Sequence, residues 1–590
     1  MKAIVQILLL QLISSSLIGQ QFYLRGEVKD EAGSFLQNVT IHHHRTGYVY
    51  YTGSNGSFGI INSKEGDTLS FSFNGYYKEK VFVKATAYTV VQLRQLPANS
   101  SNVKKDKLAS LTKDLARDIQ QKWSTGDETY ASIVENQFID AKKYPTTGLA
   151  LNIDRASYSN IRRFINLGMA VPPDAIRIEE MLNYFNLNYQ QPQNDNLFDV
   201  HTTLTNCPWA TGNQLFFIDV SSKKLKLDSL PPSNLVFLID ISGSMDMPNR
   251  LPLLQSAFKM LVNNLREKDT VALVVYGGTV GIMLNPTSGK EKEKINRAID
   301  ELSPGGSTPG ESGILMAYSL AKNHFIEGGN NRVILATDGD FNVGLKTEDE
   351  LDKLISKHRK SGIYLTCLGV GMGNYKDSKI QTLARKGNGN FAYIDSYQEA
   401  EKILMKEFTQ TLYTVADDVY MNVNFNPTLV KQYRLIGFDN KTGALADSLS
   451  VIEGGEIGSG QSIIAVFEIE PAFAAEARIS TTELFSDVQL QFKYPDKPQR
   501  QERKFSFLYN PVPYKEILSV YRFATSVIMF GLVLRSSSFA KEISWGDVLY
   551  QASESANPTD INQAQFVELV YKTRSLYAKL KKKKKGLDKF

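Results

Sequence analysis

Asp240-Ile241-Ser242-Gly243-Ser244-Met245 follows directly on the apolar run Leu235-Val236-Phe237-Leu238-Ile239. In one short turn it offers a carboxylate and two hydroxyls, with Gly243 relieving the backbone. These are hard oxygen donors, the type Mg²⁺ selects, and Mg²⁺ favours few carboxylates and several waters. Two further pieces stand downstream. Gly305-Gly306-Ser307-Thr308-Pro309-Gly310 is a glycine-rich loop offering a third hydroxyl, on Thr308. Thr337-Asp338-Gly339-Asp340 supplies a second carboxylate, Asp338, behind the strand-like Arg332-Val333-Ile334-Leu335-Ala336.

Other chemistries compete for the same residues. Asp240 could serve as a phosphatase nucleophile, as in the Asp-x-Asp loops of haloacid dehalogenase-like enzymes. Ser242, however, stands where the second carboxylate would act as general acid. The glycine loop could cradle a phosphate, but it lacks the Gly-Lys-Ser/Thr ending of a P-loop. The serines could cap the helix beginning near Leu253, which leaves Thr308 and Asp338 unexplained. No Ser-His-Asp pattern and no His-Glu-x-x-His stands out, and three of the six histidines are adjacent, His42 to His44. Neighbouring strand residues point to opposite faces, so at most two of those three converge on a metal. The expectation is a non-enzymatic protein with no catalytic residue, and a metal-dependent hydrolase is the alternative.

The elements that must position these residues alternate strand and helix over 234–413. Leu235–Ile239 has the continuous apolar character of a buried parallel strand. Leu253–Arg266, Glu291–Leu302 and Gly313–Phe325 read as helices, and a further helix runs up to Lys360. Val271–Tyr276 and Gly281–Leu284 are strands too close together for a crossover, so they form an antiparallel hairpin. Arg332–Ala336 and Ile363–Val370 are further strands. The pattern predicts a doubly wound, Rossmann-like α/β sheet with one antiparallel edge, in which ligands gather beyond the carboxyl ends of the strands.

The flanks differ. Over 22–95, β-rich runs recur about every ten residues with turns at Asp30-Glu31-Ala32-Gly33 and Ser54-Asn55-Gly56, as in a small antiparallel sandwich. Residues 100–129 are polar and read as a linker. Residues 130–233 include two short helices between Arg155 and Phe185, broken at Pro172-Pro173. Residues 414–580 read as strands that give way to a helical tail from about Glu516. The fold class is therefore multidomain, α/β plus all-β.

Hydrophobic residues make up 42% of the 590 and charged residues 22%, ordinary for a soluble globular protein. Of the net charge of +5, the segment Lys579–Phe590 carries +6, from seven lysines and one aspartate. The rest sums to about −1, which gives no support to nucleic-acid binding. The lysines of 581–590 read as a solvated, disordered tail. Met1-Lys2-Ala3 followed by an apolar run and small residues near Gly19 is a secretory signal peptide over 1–20. Val527–Leu534, on an amphipathic helix, is too short to span a bilayer, so the mature chain has no transmembrane segment. Cys367 reads as a buried strand residue and Cys207 as a loop residue, and their spacing does not demand a disulfide.

Taken together, the three oxygen-rich pieces resemble the metal-ion-dependent adhesion site of a von Willebrand factor A domain, in order and in placement at strand ends. That resemblance implies direct metal ligation by Ser242, Ser244 and Thr308, with Asp240 and Asp338 acting directly or through water. Mg²⁺ is the implied ion, with Mn²⁺ and Ca²⁺ as alternatives. Two carboxylates leave the metal nearly neutral with an open position, which an acidic side chain of a protein ligand would fill. Gly26-Glu27-Val28-Lys29-Asp30, Asn55-Gly56-Ser57-Phe58 and Ser72-Phe73-Asn74-Gly75-Tyr76 resemble the carboxypeptidase regulatory-like domain of exported Bacteroidetes proteins. Glu135-Asn136-Gln137-Phe138, Arg177-Ile178-Glu179-Glu180, Gly371-Met372-Gly373-Asn374 and Phe530-Gly531-Leu532 resemble the bacterial YfbK-like A-domain proteins over about 130–570. Asn152 departs from the aspartate usual in that family. The resemblances imply a protein-binding adhesion or scaffold module of a Gram-negative cell envelope, in the periplasm or at the cell surface. A structural scaffold with a vestigial metal site is the remaining alternative.

Overall fold

The computed structural model describes residues 22–94, apart from 32, 38, 47–48, 54 and 74–75, and residues 128–587. Within the latter it omits 152–153, 188, 227–229, 278, 306–309, 340–354, 356–361, 373–374, 388, 440–454, 474–482, 496 and 498. The leader, nearly all of the linker, Asn152, Thr308, Asp340 and most of the helix expected before Lys360 therefore lie outside the described residues. The chain divides into two compact units, Met1–Gln120 and Gln121–Phe590.

The first unit is built on two sheets. Ser57–Asn62, Phe22–Asp30 and Tyr88–Leu93 form one, and Val49–Tyr51, Thr40–His43, Gly66–Ser72 and Glu79–Lys84 form the other. Alternate residues of the first strand, Leu24 and Val28, face a core shared with Ile41, Phe58, Leu69 and Phe71. The expected antiparallel pattern holds except at one place: Phe22–Asp30 and Tyr88–Leu93 pair in parallel. The first and last strands of the unit lie side by side, a pairing that no hairpin turn announces. Of the three histidines, His42 and His44 stand with ring centroids 5.1 Å apart while His43 turns away. His43 is buried with Nε2 3.3 Å from Asp67 Oδ2, and His44 Nε2 lies 2.6 Å from the Ser70 hydroxyl.

In the second unit the central sheet comprises β1 (Ser233–Asp240), β2 (Thr270–Gly277), β3 (Thr279–Ser288), β4 (Asn330–Thr337), β5 (Tyr364–Gly369) and β6 (Phe391–Tyr393). Their order is β3-β2-β1-β4-β5-β6, all parallel except the β2–β3 hairpin. Every residue of β1 is buried because both faces of the sheet are covered. Its period of two divides the strand between two cores. Leu235, Phe237 and Ile239 pack with Leu254, Phe258 and Leu261 of α1 (Leu251–Asn263) and Ile295 and Ile299 of α2 (Lys292–Asp300). Val236 and Leu238 pack with Ile314 and Tyr318 of α3 (Gly310–Asn323) and Ile380 and Leu383 of α4 (Asp377–Lys386). Each such apolar side chain contributes ~1.5–3 kcal/mol on burial. The strand order runs outward in opposite directions from β1 and β4, so the crevice between their carboxyl ends is the switch point of the sheet.

The segments on either side of this sheet interleave into one body. Gln214–Ser222 pairs antiparallel with Ser462–Pro471, and Thr146–Ala150 pairs with Thr414–Phe425. A six-stranded and a five-stranded sheet result, closing on a common core that includes Phe216, Phe425, Phe467 and Phe485. The doubly wound sheet is thus inserted in a sandwich made from both flanks. Helices Ala156–Asn166 and Ile178–Asn183 pack with Ser519–Arg535, Trp545–Ser555 and Ile561–Leu587 around Tyr158, Phe185, Phe523 and Phe566.

Two expectations are corrected here. Ser519–Arg535 is buried on most of its faces, not amphipathic, because helices and the sandwich surround it. Among the described residues no helix is long and apolar enough to cross a membrane. The lysine run 581–585 continues the last helix to Leu587 and is not irregular backbone. Lysine is a good helix former, and the packed turns before it nucleate the helix. Cys207 and Cys367 are both buried and free, in separate cores.

Candidate metal centre

Asp240 is the last residue of β1, and Asp338 is the first residue after β4. The parallel pairing of these strands sets Ile239 opposite Ala336, so the two chain ends emerge together. Asp240 and Asp338 are buried and Ser242 is 3% exposed. Ser242 N–H donates to Asp240 Oδ1 at 2.9 Å, and the Thr337 hydroxyl donates to Oδ2 at 3.2 Å. The Ser242 and Ser244 hydroxyl oxygens lie 3.1 Å apart. A short 3₁₀ turn at Gly243–Met245 makes this approach, closed by Met245 N–H donating to the Ser242 carbonyl at 2.9 Å. The Met245 side chain plugs the core beneath the turn.

The loops around the turn fix its position. Ile241 N–H donates to the Tyr276 carbonyl, and Gly305 N–H donates to the Ile241 carbonyl at 2.7 Å, so Gly305 sits at the site. Gly277, at φ +141°, closes β2 against the same turn: a Cβ there would stand 2.4 Å from Ser242 N. Gly339 has φ +92°, and a Cβ there would stand 2.4 Å from Lys376 N. Gly277→Ala is therefore expected to push the serine turn outward and to weaken Mg²⁺ binding about tenfold or more, with strain of ~1–3 kcal/mol. Calorimetric titration beside a urea melt checks this. Unchanged Mg²⁺ binding would show that the close approach does not set the turn.

Electrostatics mark the crevice. Burial pushes the Asp240 carboxyl up to about 6, a rise to which Asp338 adds and which the Ser242 and Thr337 hydrogen bonds oppose. Burial, reinforced by Asp240, also holds the Tyr276 phenol well above its ordinary value. A buried carboxylate whose charge is raised in energy by burial and by a second carboxylate is a cation's natural partner. Arg250, just ahead of α1, extends its guanidinium to this point. Nη1 lies 2.5 Å from Asp338 Oδ2 and 2.6 Å from the Ser244 carbonyl, and Nη2 lies 2.7 Å from the Met372 carbonyl.

Four of the five residues singled out from the sequence thus come together: Asp240, Ser242, Ser244 and Asp338. Thr308 lies outside the described residues, between Gly305, which touches the site, and α3. The donor set of two carboxylates and hydroxyls fits a hard, octahedral cation. Among the described residues no three His, Cys, Asp or Glu side chains cluster as a metal site. Sequence reasoning missed Thr337 and Arg250. Thr337 was visible as a hydroxyl beside Asp338. Arg250 had no signal, since its reach depends on the turn that folds it back.

Three family models match the chain. One described as von Willebrand factor covers residues 124–216, the von Willebrand factor type A domain covers 234–406, and the C-terminal part of uncharacterized protein YfbK covers 410–576. Uncharacterized protein YfbK of Escherichia coli (strain K12) is 35% identical over 470 residues, which is 75% of this chain and 81% of that one. The magnesium-chelatase 67 kDa subunit of Chlorobaculum parvum is 26% identical over 185 residues, 29% of each chain. Inter-alpha-trypsin inhibitor heavy chain H2 of Sus scrofa is 26% identical over 203 residues, 33% of this chain and 21% of that one. Of solved structures, a von Willebrand factor type A protein from Catenulispora acidiphila aligns over 65% of this chain and 90% of its own, at 15% identity and a TM-score of 0.39. The chain belongs to the YfbK family and carries its von Willebrand factor type A domain at the centre of the fold.

Proposed function

We propose that the chain is a non-enzymatic, Mg²⁺-dependent protein-binding module of the bacterial cell envelope, exported by the leader at its start. The observation that carries this reading is the meeting of Asp240, Ser242, Ser244 and Asp338 at the switch point of the sheet. Ser242 and Ser244 would bind the ion through their hydroxyls, Thr308 would add a third, and Asp240 and Asp338 would balance its charge. A metal held by so few anions favours one more carboxylate, so the partner would present an aspartate or glutamate. Catalysis is disfavoured because Ser242 supplies a hydroxyl where a phosphatase would need an acid.

Calorimetric titration of Mg²⁺ into the chelator-treated full chain tests this reading. Saturable one-to-one binding is expected, and no binding at millimolar Mg²⁺ would overturn it. Mn²⁺ and Ca²⁺ titrations rank the alternatives, with Ca²⁺ expected weaker because the site offers few carboxylates.

A further inference from the structure

We propose that Arg250 is an internal counter-ion of the metal site, holding Asp338 and Ser244 in the metal-free protein and competing with the incoming cation. The proposal rests on reading this crevice as a metal site and names how that site is regulated.

The guanidinium is built in. Its side chain is 7% exposed and that of Asp338 is fully buried, so their contact is shielded from water. Three oxygens converge on it: an Asp338 carboxylate oxygen, the Ser244 carbonyl and the Met372 carbonyl. Two of these belong to residues that would surround the metal. A single organic cation therefore bridges the two strand-end loops that a Mg²⁺ would bridge. The fold makes room for it at one glycine. A Cβ on Gly371, at φ +78°, would stand 2.6 Å from Arg250 Nε. Arginine suits the task because one planar group reaches three acceptors, which an ammonium on a flexible stem does not.

The chemistry sets the direction of the effect. With Asp240 and Asp338 ionised, Arg250 reduces the local charge from −2 to −1 and engages an oxygen the metal needs. Both effects weaken cation binding. With Mg²⁺ added and Arg250 retained nearby, the centre carries +1, which one carboxylate from a partner returns to neutral. Arg250 thus lowers affinity for the bare ion and raises the attraction for an acidic ligand once the ion is bound.

The same guanidinium ties the site to its surroundings. Met372 follows Gly371, whose carbonyl accepts hydrogen bonds from Arg163 Nη1 at 3.3 Å and from the Tyr393 hydroxyl. Met372 and Asn249 lie on the edge of a cleft of about 440 Å³ whose lining carries both signs of charge, Arg162, Arg163 and Lys572 beside Asp395 and Glu568. Release of Arg250 from Met372 would loosen this edge.

The test is calorimetric titration of Mg²⁺ into the full chain, wild type against Arg250→Gln, with circular dichroism as a folding control. Arg250→Gln is expected to bind Mg²⁺ about tenfold tighter. If wild type binds and Arg250→Gln binds equally or more weakly, the counter-ion role is overturned and the metal site stands. If neither binds, both fall. Should Arg250→Gln not fold, Arg250→Met carries the test, because its unbranched apolar stem removes the charge and the three-way bridge together. Tighter binding than wild type supports the proposal, and unchanged or weaker binding overturns it.

Discussion

Asp240→Ala is expected to abolish measurable Mg²⁺ binding while leaving the fold intact. Asp240 is held on both oxygens at the switch point, by Ser242 N–H and by the Thr337 hydroxyl. Removing it takes away half of the anionic charge available to the cation. Stability should barely move, because two effects oppose. Burial lifts the Asp240 carboxyl from 3.8 to about 6, so keeping it ionised at pH 8 costs about 3 kcal/mol. Alanine removes that cost but also two hydrogen bonds, each worth ~1 kcal/mol, with a desolvation penalty for the groups left behind. The net change at pH 8 should lie within about 2 kcal/mol of zero. The pH dependence gives a second check. With the folded-state value above the unfolded one, the protonated carboxyl contributes stability that is full below pH 3.8. It is lost as pH rises through 6. The alanine variant should lack that slope between pH 4 and 7 in urea melts. Retained Mg²⁺ binding would remove Asp240 from the site. Loss of both binding and fold would assign it a structural task instead.

The central sheet was legible in the sequence, apart from the short edge strand Phe391–Tyr393, because its other strands declare themselves locally. Ser233–Asp240 is apolar on both faces, and only a strand covered by helices on both sides tolerates that. The short gap before Gly281 forces a hairpin. The candidate-site residues Asp240, Ser242, Ser244 and Asp338 were legible for the same reason: they follow directly on such strands, so fixing the strand fixes the loop. What was not legible depends on long-range pairing. Nothing in Gln214–Ser222 announces that its partner is Ser462–Pro471, beyond the inserted sheet, because register between distant strands is set by cores that neither segment shows alone. The parallel pairing of Phe22–Asp30 with Tyr88–Leu93 escaped for the same reason. Arg250 reads as an ordinary residue ahead of a helix until the turn at Met247 and the glycine at 371 place its guanidinium in the crevice.

Arg332→Ala is expected to cost ~3–5 kcal/mol at pH 8, and distinctly less at pH 5. Arg332 lies on β4, the strand that ends in Asp338, and is fully buried. Its Nη1 donates to the Thr366 hydroxyl at 2.8 Å on the neighbouring strand, and its Nη2 reaches Glu456 Oε1 at 2.7 Å in the five-stranded sheet. This pair joins the von Willebrand factor type A domain to the sandwich in which it is inserted. Burial raises the Glu456 carboxyl from 4.5 to about 7 even though Arg332 pulls it down. Its folded-state value therefore lies above the unfolded one. The protonated form contributes stability that is full below pH 4.5 and lost as pH rises through 7. Alanine at 332 removes the only cation on that carboxyl among the described contacts, so its value moves higher still. At pH 8 the variant must bury a lone carboxylate or take up a proton on folding. At pH 5 the carboxyl is already protonated, and mainly a cavity is left. Urea unfolding at the two pH values measures the difference. An equal loss at both would show that Glu456 does not carry the effect. Arg332→Met with Glu456→Leu should recover most of the stability, since an apolar pair of similar volume removes both buried charges together. That double variant should also keep its Mg²⁺ affinity, because the strand end that presents Asp338 is then held by packing in place of charge.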